Sequence, residues 1–233
     1  MKPNKIQFLP TQKEPEIFGE YPTPATKHIP EWYKKIPATI GGQPFTVKNR
    51  DHNLSIKSCP PILDSFTMGY MATLTADIQV RRDESGLPVF FWIAEDEVAT
   101  IHRPDTTQGF AVPKGYHPLI YKFHGKWGII TPKGYSCLIT HPLNRSDLPF
   151  ISFSGIIETD SFPFFDVSLF IREDFEGIIE AGTPIAQIIP FRRESWESEI
   201  IPYSDSNLDP FRKLAKKVRG AYKANSWQRK TFQ

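Results

Sequence analysis

Cysteine is nearly missing from this chain, which has two, Cys59 and Cys137, among 233 residues. Two thiols that far apart make neither a disulfide framework nor a metal-ligand spacing. The run Tyr135-Ser136-Cys137-Leu138-Ile139 marks Cys137 as a small buried hydrophobe. Long apolar runs are missing too: nothing approaches the roughly 18 consecutive residues of a membrane span. Met1-Lys2-Pro3-Asn4-Lys5 leads into no continuous apolar segment, so no signal peptide is expected. A reducing, cytoplasmic setting is expected, or a particle assembled in a host cytoplasm. Charge of one sign is also lacking, since 28 basic and 26 acidic residues leave a net +2 that identifies no partner by itself. There is no G-x-S-x-G, no P-loop, no Cys/His pairing and no repeat of fixed period. His102, His117, His124 and His141 are scattered without ligand spacing. A zinc site would need them to converge with a further donor, so isolated structural or surface histidines are the preferred reading.

What the chain has in quantity is proline, 22 residues, and aromatic side chains, 13 %. Both point to short strands joined by rigid turns, hence a mainly β fold. Residues 1–57 read as a Pro-rich arm with Pro10, Pro15, Pro22, Pro24, Pro30, Pro37 and Pro44. Each fixes φ and lacks an N–H donor, which rules out a long helix or central strand there. One short helix is expected over residues 28–36, with Pro30 near its first position and Pro37 stopping it. Trp32, Tyr33 and Ile36 are expected to dock it, as a clamp in preference to a ligand groove. Residues 58–205 read as one β domain of about eight strands, a sandwich or barrel. The strands are expected over 70–80, 87–94, 119–123, 127–130, 136–140, 150–157, 167–171 and 184–190. The first two form a hairpin across Asp83-Glu84-Ser85-Gly86. Residues 206–233 read as a basic helix and tail, with Asp209-Pro210 as its cap and first turn. Phe211, Leu214, Ala215, Val218 and Tyr222 share one helical face. From residue 210 onward there are eight basic residues and no acidic one.

The most informative window is 154–193. It contains Gly155-Ile156-Ile157-Glu158-Thr159-Asp160, then Val167-Ser168-Leu169-Phe170, then Gly182-Thr183-Pro184-Ile185-Ala186-Gln187-Ile188-Ile189. This resembles the dUTPase and dCTP deaminase superfamily, where a G-V-I-D-x-D-Y-x-G turn precedes a V-x-L-F-N strand and a G-D-R-I-A-Q-L strand. Twenty-seven positions separate Gly155 from Gly182, the interval that the resemblance implies. Upstream, Pro132-Lys133-Gly134-Tyr135 is similar to the family's P-x-G-Y turn. Arg145-Ser146-Asp147-Leu148 is similar to its R-S-G-L motif, about three residues out of register. The resemblance implies a distorted barrel called a β-clip, with the turn glycines at positive φ. It also implies a homotrimer with sites at subunit interfaces.

The family's chemistry is only partly retained. Glu158 stands at the position of the water-orienting aspartate, and its extra methylene displaces the carboxylate in a site that tolerates little displacement. Ser161 stands at the position of the tyrosine that packs on the sugar. Met71 follows Gly69-Tyr70, where a metal-binding aspartate is implied, and a thioether is a poor Mg²⁺ ligand. The Gly-rich closing arm is replaced by the basic helix, and Ser161-Phe162-Pro163-Phe164 lacks the deaminase glutamate.

Three readings follow. The first is a non-catalytic β-clip protein for assembly or binding, as in phage head-decoration trimers; the chain's texture also resembles proteins of large tailed phages, with capsid or other virion proteins as partners. The second is a nucleotide-binding protein or pyrophosphatase. Glu158 would be its base and Arg145, Ser146 and Asp160 its pocket groups. Gln187 would approach from a neighbouring subunit, and Mg²⁺ would be needed only in this case. The third is nucleic-acid or acidic-partner binding through Arg212, Lys213, Lys216, Lys217, Arg219 and Lys223. Arg192-Arg193 reads as a solvated strand end in preference to a phosphate contact. Assembly or binding is preferred over catalysis.

Overall fold

Short alternating runs between proline and glycine turns should give short antiparallel strands, and a computed structural model of the chain is mainly β with several antiparallel sheets. It describes residues 4–13, 21–39, 41, 45–47, 50–52, 54–217 and 221–233. The first part of the chain forms strands β1 (Gln7–Pro10), β2 (Thr23–Pro24), β3 (Phe45–Val47) and β4 (Arg50–His52), with helices α1 (Glu31–Lys35) and α2 (Pro60–Thr67). Strands β5 (Tyr70–Thr73), β6 (Ile78–Arg82), β7 (Pro88–Trp92), β8 (Ala99–Ile101) and β9 (Tyr116–His124) follow. Next come β10 (Trp127–Ile130), β11 (Tyr135–Thr140), β12 (Phe150–Ser152), β13 (Gly155–Ile157), β14 (Asp166–Arg172), β15 (Gly177–Ile179) and β16 (Pro184–Arg192). Helices α3 (Asp205–Lys217) and α4 (Ala221–Asn225) come after them. The chain divides into two compact units. One holds Met1–His28, Met68–Arg193 and Phe232–Gln233; the other holds Ile29–Thr67 and Glu194–Thr231.

In the first unit, sheets of order β13-β11-β16-β5-β2, β12-β14-β9-β8 and β15-β6-β7 accompany the ladder β1-β10. Their inward faces supply the core, with Tyr121, Phe123, Ile129, Phe150, Leu169 and Ile188 almost fully buried. Two runs that read as single strands each divide between sheets. The alternating run 70–80 ends its ladder with β16 just beyond Thr73, where Leu74 N–H donates to Thr183 O and Leu74 O accepts from Gly182 N–H. Asp77 Oδ1 accepts from Ala181 N–H, and the chain then re-enters a different sheet as β6. The run 150–157 divides in the same way, with Phe153 N–H donating to Ser168 O and the Ser154 hydroxyl meeting that of Thr140 at 2.7 Å. Strands that change sheet form the corners of such architectures. Periodicity could not mark them, because alternation continues through each bend.

The β6–β7 hairpin forms at the expected turn. Asp83 Oδ1 accepts from Ser85 N–H, the Ser85 hydroxyl and Leu87 N–H, and Gly86 takes φ +84°. Gly182 and Gly134 are at positive φ, as the resemblance implies, but Gly155 is not; it lies in strand β13. A tighter requirement falls on Gly69. It has φ +75°, and a Cβ there would lie 2.1 Å from Ile188 O.

In the second unit, α1 starts after Pro30 and ends before Ile36. Tyr33 is buried against Phe66 with ring centroids 4.4 Å apart, and Trp32 meets Phe66 edge-on. Phe66 belongs to α2, which lies at the start of the segment read as all β. Pro60 and Pro61 are tolerated in its first turn. The Ser65 and Thr67 hydroxyls donate back to the carbonyls of Ile62 and Leu63. Helix α3 begins at Asp205, four residues before the Asp209-Pro210 start read from sequence, so Pro210 lies inside it. Asp205 suits the positive end of the helix and also pairs with Arg212 at 2.6 Å. Pro210 costs the helix one backbone bond, to the carbonyl four residues earlier.

Candidate functional site

Strand β11 orders the candidate site residues Glu158, Asp160, Arg145, Ser146 and Gln187. Along its ladder with β16, Tyr135 lies opposite Arg192 and Thr140 lies opposite Gln187; along its ladder with β13, Cys137 lies opposite Ile157. Gln187 and the turn bearing Arg145 and Ser146 therefore sit at one end. Glu158 and Asp160 sit at the other. Five residue steps of about 3.3 Å separate the ends by roughly 17 Å. A single chain does not bring Glu158 together with Arg145 and Gln187.

At the first end Gln187 is fully buried. Its Oε1 accepts from Leu143 N–H at 3.0 Å, and its Nε2 donates to Met68 O at 2.6 Å. The side chain thus ties the turn after β11 to the bend before β5. Gly69 permits that bend to press against Ile188. Arg145 turns its guanidinium fork onto Asp147, with Nε and Nη2 at 2.8 and 2.9 Å from the two carboxylate oxygens. His141 accepts from Ser152 N–H at Nδ1 and faces Arg145 O with Nε2, which makes Nε2 the protonated nitrogen. Burial holds its imidazole below the usual basicity. Ser146 is exposed.

At the opposite end Asp160 accepts from Gly134 N–H at 2.8 Å and pairs with the Arg193 guanidinium. Arg193 first, then the Gly134 amide, lowers its carboxyl to about 2. Arg193 also donates to Tyr135 O and the Ser136 hydroxyl, and its N–H bonds Gly134 O. The Pro132–Tyr135 turn is thereby fastened to the end of β16, and Asp160 acts as a latch. Glu158 is exposed; its carbonyl accepts from the amides of Ser161 and Phe162, closing the turn after β13. Near Gly69-Tyr70, Met71 is buried in β5 and the Tyr70 hydroxyl donates to Gln233 O at 3.2 Å.

The basic segment is partly self-neutralised. Arg212 pairs with Asp205, while Lys213 and Lys223 are exposed. Arg219 and the side chains of Lys216 and Lys217 lie outside the described residues. Farther on, Lys230 Nζ lies 2.5 Å from Asp64 Oδ2, and Trp227 Nε1 donates to both oxygens of the same carboxylate at 3.1 and 3.0 Å. Asp64, on α2, thus anchors the tail of its own unit.

The structure also assembles a polar row that sequence reading left scattered. On the outer face of β8, β9 and β14, His102 Nε2 meets the Ser168 hydroxyl at 2.9 Å. Asp166 meets His124 Nδ1, Lys122 Nζ and Gly125 N–H at 3.2–3.3 Å. Burial raises the Asp166 carboxyl, but those donors together bring it below its ordinary value. The alternation Tyr121-Lys122-Phe123-His124 was the signal that these side chains share a face; which strand lies beside them is a tertiary fact. Among the described residues no three His, Cys, Asp or Glu side chains cluster to hold a metal, and no helix is long and apolar enough to cross a membrane. Compared with known proteins, the chain matches no family model and no curated sequence at a significant level.

Proposed function

We propose that this protein is a non-catalytic β-clip protein acting in assembly or binding, built on a dUTPase-like core and working as a homotrimer. The observation that carries this reading is the engagement of Arg145 and Gln187 within their own chain. Arg145 is paired in fork geometry with Asp147, and both ends of the Gln187 amide are bonded to backbone. A phosphate would have to displace a carboxylate already matched to the guanidinium. Gln187 would have to leave the Leu143 amide and the Met68 carbonyl without it to reach a neighbouring subunit. Strands that change sheet at 74–77 and 153–154, and left-handed glycines at the turns before β11 and β16, support the β-clip assignment. An assembly subunit of the kind that decorates a phage head is the form of this reading that best uses the exposed strand surfaces.

The test is a thermal-shift and turnover screen of the purified protein against nucleoside triphosphates with Mg²⁺, alongside light-scattering mass in solution. The reading expects a trimer mass, no turnover and no nucleotide-dependent shift. Pyrophosphate release that is abolished by Glu158→Gln would overturn it in favour of a divergent nucleotide pyrophosphatase.

A further inference from the structure

The second unit carries two uncovered segments of opposite character. The first is the arm 194–203, which forms neither helix nor strand and in which every residue is exposed. Large apolar side chains punctuate it: Trp196 is 88 % exposed, Ile200 95 %, Ile201 68 % and Tyr203 74 %. Its charges are all negative, Glu194, Glu197 and Glu199. Glu197 and Glu199 make no ion pair among the described residues. Apolar surface of this extent, left in water on one segment, marks a contact site.

The second segment is α3 with the residues that follow it. Its two acids, Asp205 and Asp209, lie in the first turns, and Asp205 is paired with Arg212. From there on the sign is uniform: residues 210–223 hold Arg212, Lys213, Lys216, Lys217, Arg219 and Lys223 and no acid. Lys213 and Lys223 are exposed and make no ion pair among the described residues. All of residues 205–213 are exposed, on every side of the helix, including Phe211. A helix in a folded protein draws most of its stability from covering an apolar face, and this one has no cover from its own chain. The arm does not fold back to supply it. The Tyr203 hydroxyl donates to Asp205 at 2.7 Å and lies 3.5 Å from Arg212 Nη2, which fixes the end of the arm at the start of α3. The lengths match: Trp196 to Tyr203 extends about 23 Å, and the thirteen residues of α3 rise about 20 Å.

We propose that the acidic arm 194–203 of one copy docks on the basic helix α3 of a second copy. Trp196, Ile200 and Ile201 cover the apolar face that includes Phe211, and Glu197 and Glu199 meet Lys213 and the bases that follow it. Charge complementarity names a second copy as the occupant, because one chain carries both halves and satisfies neither. The inference rests on the homotrimer of the reading above and supplies a contact for it. Each copy gives one arm and receives one, so the contact is head-to-tail and closes when three copies form a ring.

The test uses full chains with Cys59→Ser; Cys137 is fully buried. One chain carries Ser198→Cys in the arm. A second, with a size tag, carries Ala215→Cys, one helical turn on from Phe211. Each is expressed alone and the two together, and a short thiol cross-linker is added. The co-expressed pair is expected to form a mixed covalent dimer at a rate at least about fivefold above either self-dimer. Lys213→Glu with Lys223→Glu in the helix chain should slow it about fourfold or more, at roughly two- to fivefold for each exposed pair lost. Glu197→Lys with Glu199→Lys in the arm chain should then restore it. A mixed dimer no faster than the self-dimers would overturn the proposal. So would a chain with both cysteines that closes on itself in preference to joining another. A third refutation is a helix charge reversal that abolishes binding to a single-stranded oligonucleotide and leaves the cross-link unchanged. Light scattering keeps the two readings apart: a trimer mass without the cross-link removes the arm contact alone, and a monomer mass removes the homotrimer as well.

Discussion

Gln187 separates a structural reading of the family-like segment from a catalytic one, and Gln187→Leu is the perturbation that does so. Leucine fills nearly the same volume without polar atoms. The exchange leaves Leu143 N–H and Met68 O without the partners they have at 3.0 and 2.6 Å, in a place where the side chain has no solvent exposure. Each stranded group costs about 1–3 kcal/mol, and the added apolar burial returns part of that. The expected net loss is about 2–4 kcal/mol. With a urea slope of about 2–3 kcal/mol per molar for a chain of this size, the midpoint should fall by about 1 M at unchanged slope. Gln187→Glu adds a pH signature. The protonated acid can both accept from Leu143 and donate to Met68, whereas the carboxylate can only accept. Its folded pKa must therefore rise above the unfolded value of about 4.3. The sign follows from linkage: the variant stays close to wild type below about pH 4.3 and falls behind it as pH rises through the folded pKa. A loss under about 0.5 kcal/mol for Gln187→Leu, with a change confined to ligand binding, would refute the structural role.

Gly69→Ala and Gly86→Ala share a positive φ, but only the first meets backbone at 2.1 Å. The Gly86 variant should lose about 1–2 kcal/mol for the left-handed conformation alone, and the Gly69 variant about 1–3 kcal/mol more; paired denaturant titrations measure the difference, and equal losses would deny the close approach. Asp160 has a carboxyl lowered to about 2 by Arg193 and Gly134, so the stability it adds is present above its unfolded pKa of about 3.9 and is lost as pH falls through about 2. Wild type should exceed Asp160→Asn in thermal stability at pH 6, and the gap should close between about pH 4 and pH 2; a pH-independent gap would count against the latch. Asp64→Leu removes the acceptor shared by Trp227 and Lys230. Faster hydrogen exchange over residues 226–231 is expected, and unchanged protection there would show that the tail is held by other means.

The β character of the chain was legible because proline, aromatic residues and period-two alternation all act locally. The same holds for the β6–β7 turn, where Asp83 and Gly86 carry their own geometry, and for α1, which Pro30 and Pro37 bracket. Helix α2 was not legible. Pro60-Pro61 reads as a breaker until one sees that it fills a first turn, and Phe66 is explained by Tyr33 and Trp32, which lie 33 and 34 positions earlier in the chain. The site divides along the same line. Arg145, Glu158, Asp160 and Gln187 could be picked out from motif and spacing, because a turn or strand dictates such spacings locally. Their partners could not: Asp160 finds Arg193, and Gln187 finds Met68 and Leu143. Residue type and period set what each segment can form. Which buried amide meets which carbonyl is set by long-range packing, because only the folded chain brings those groups within the few ångströms over which hydrogen bonds act.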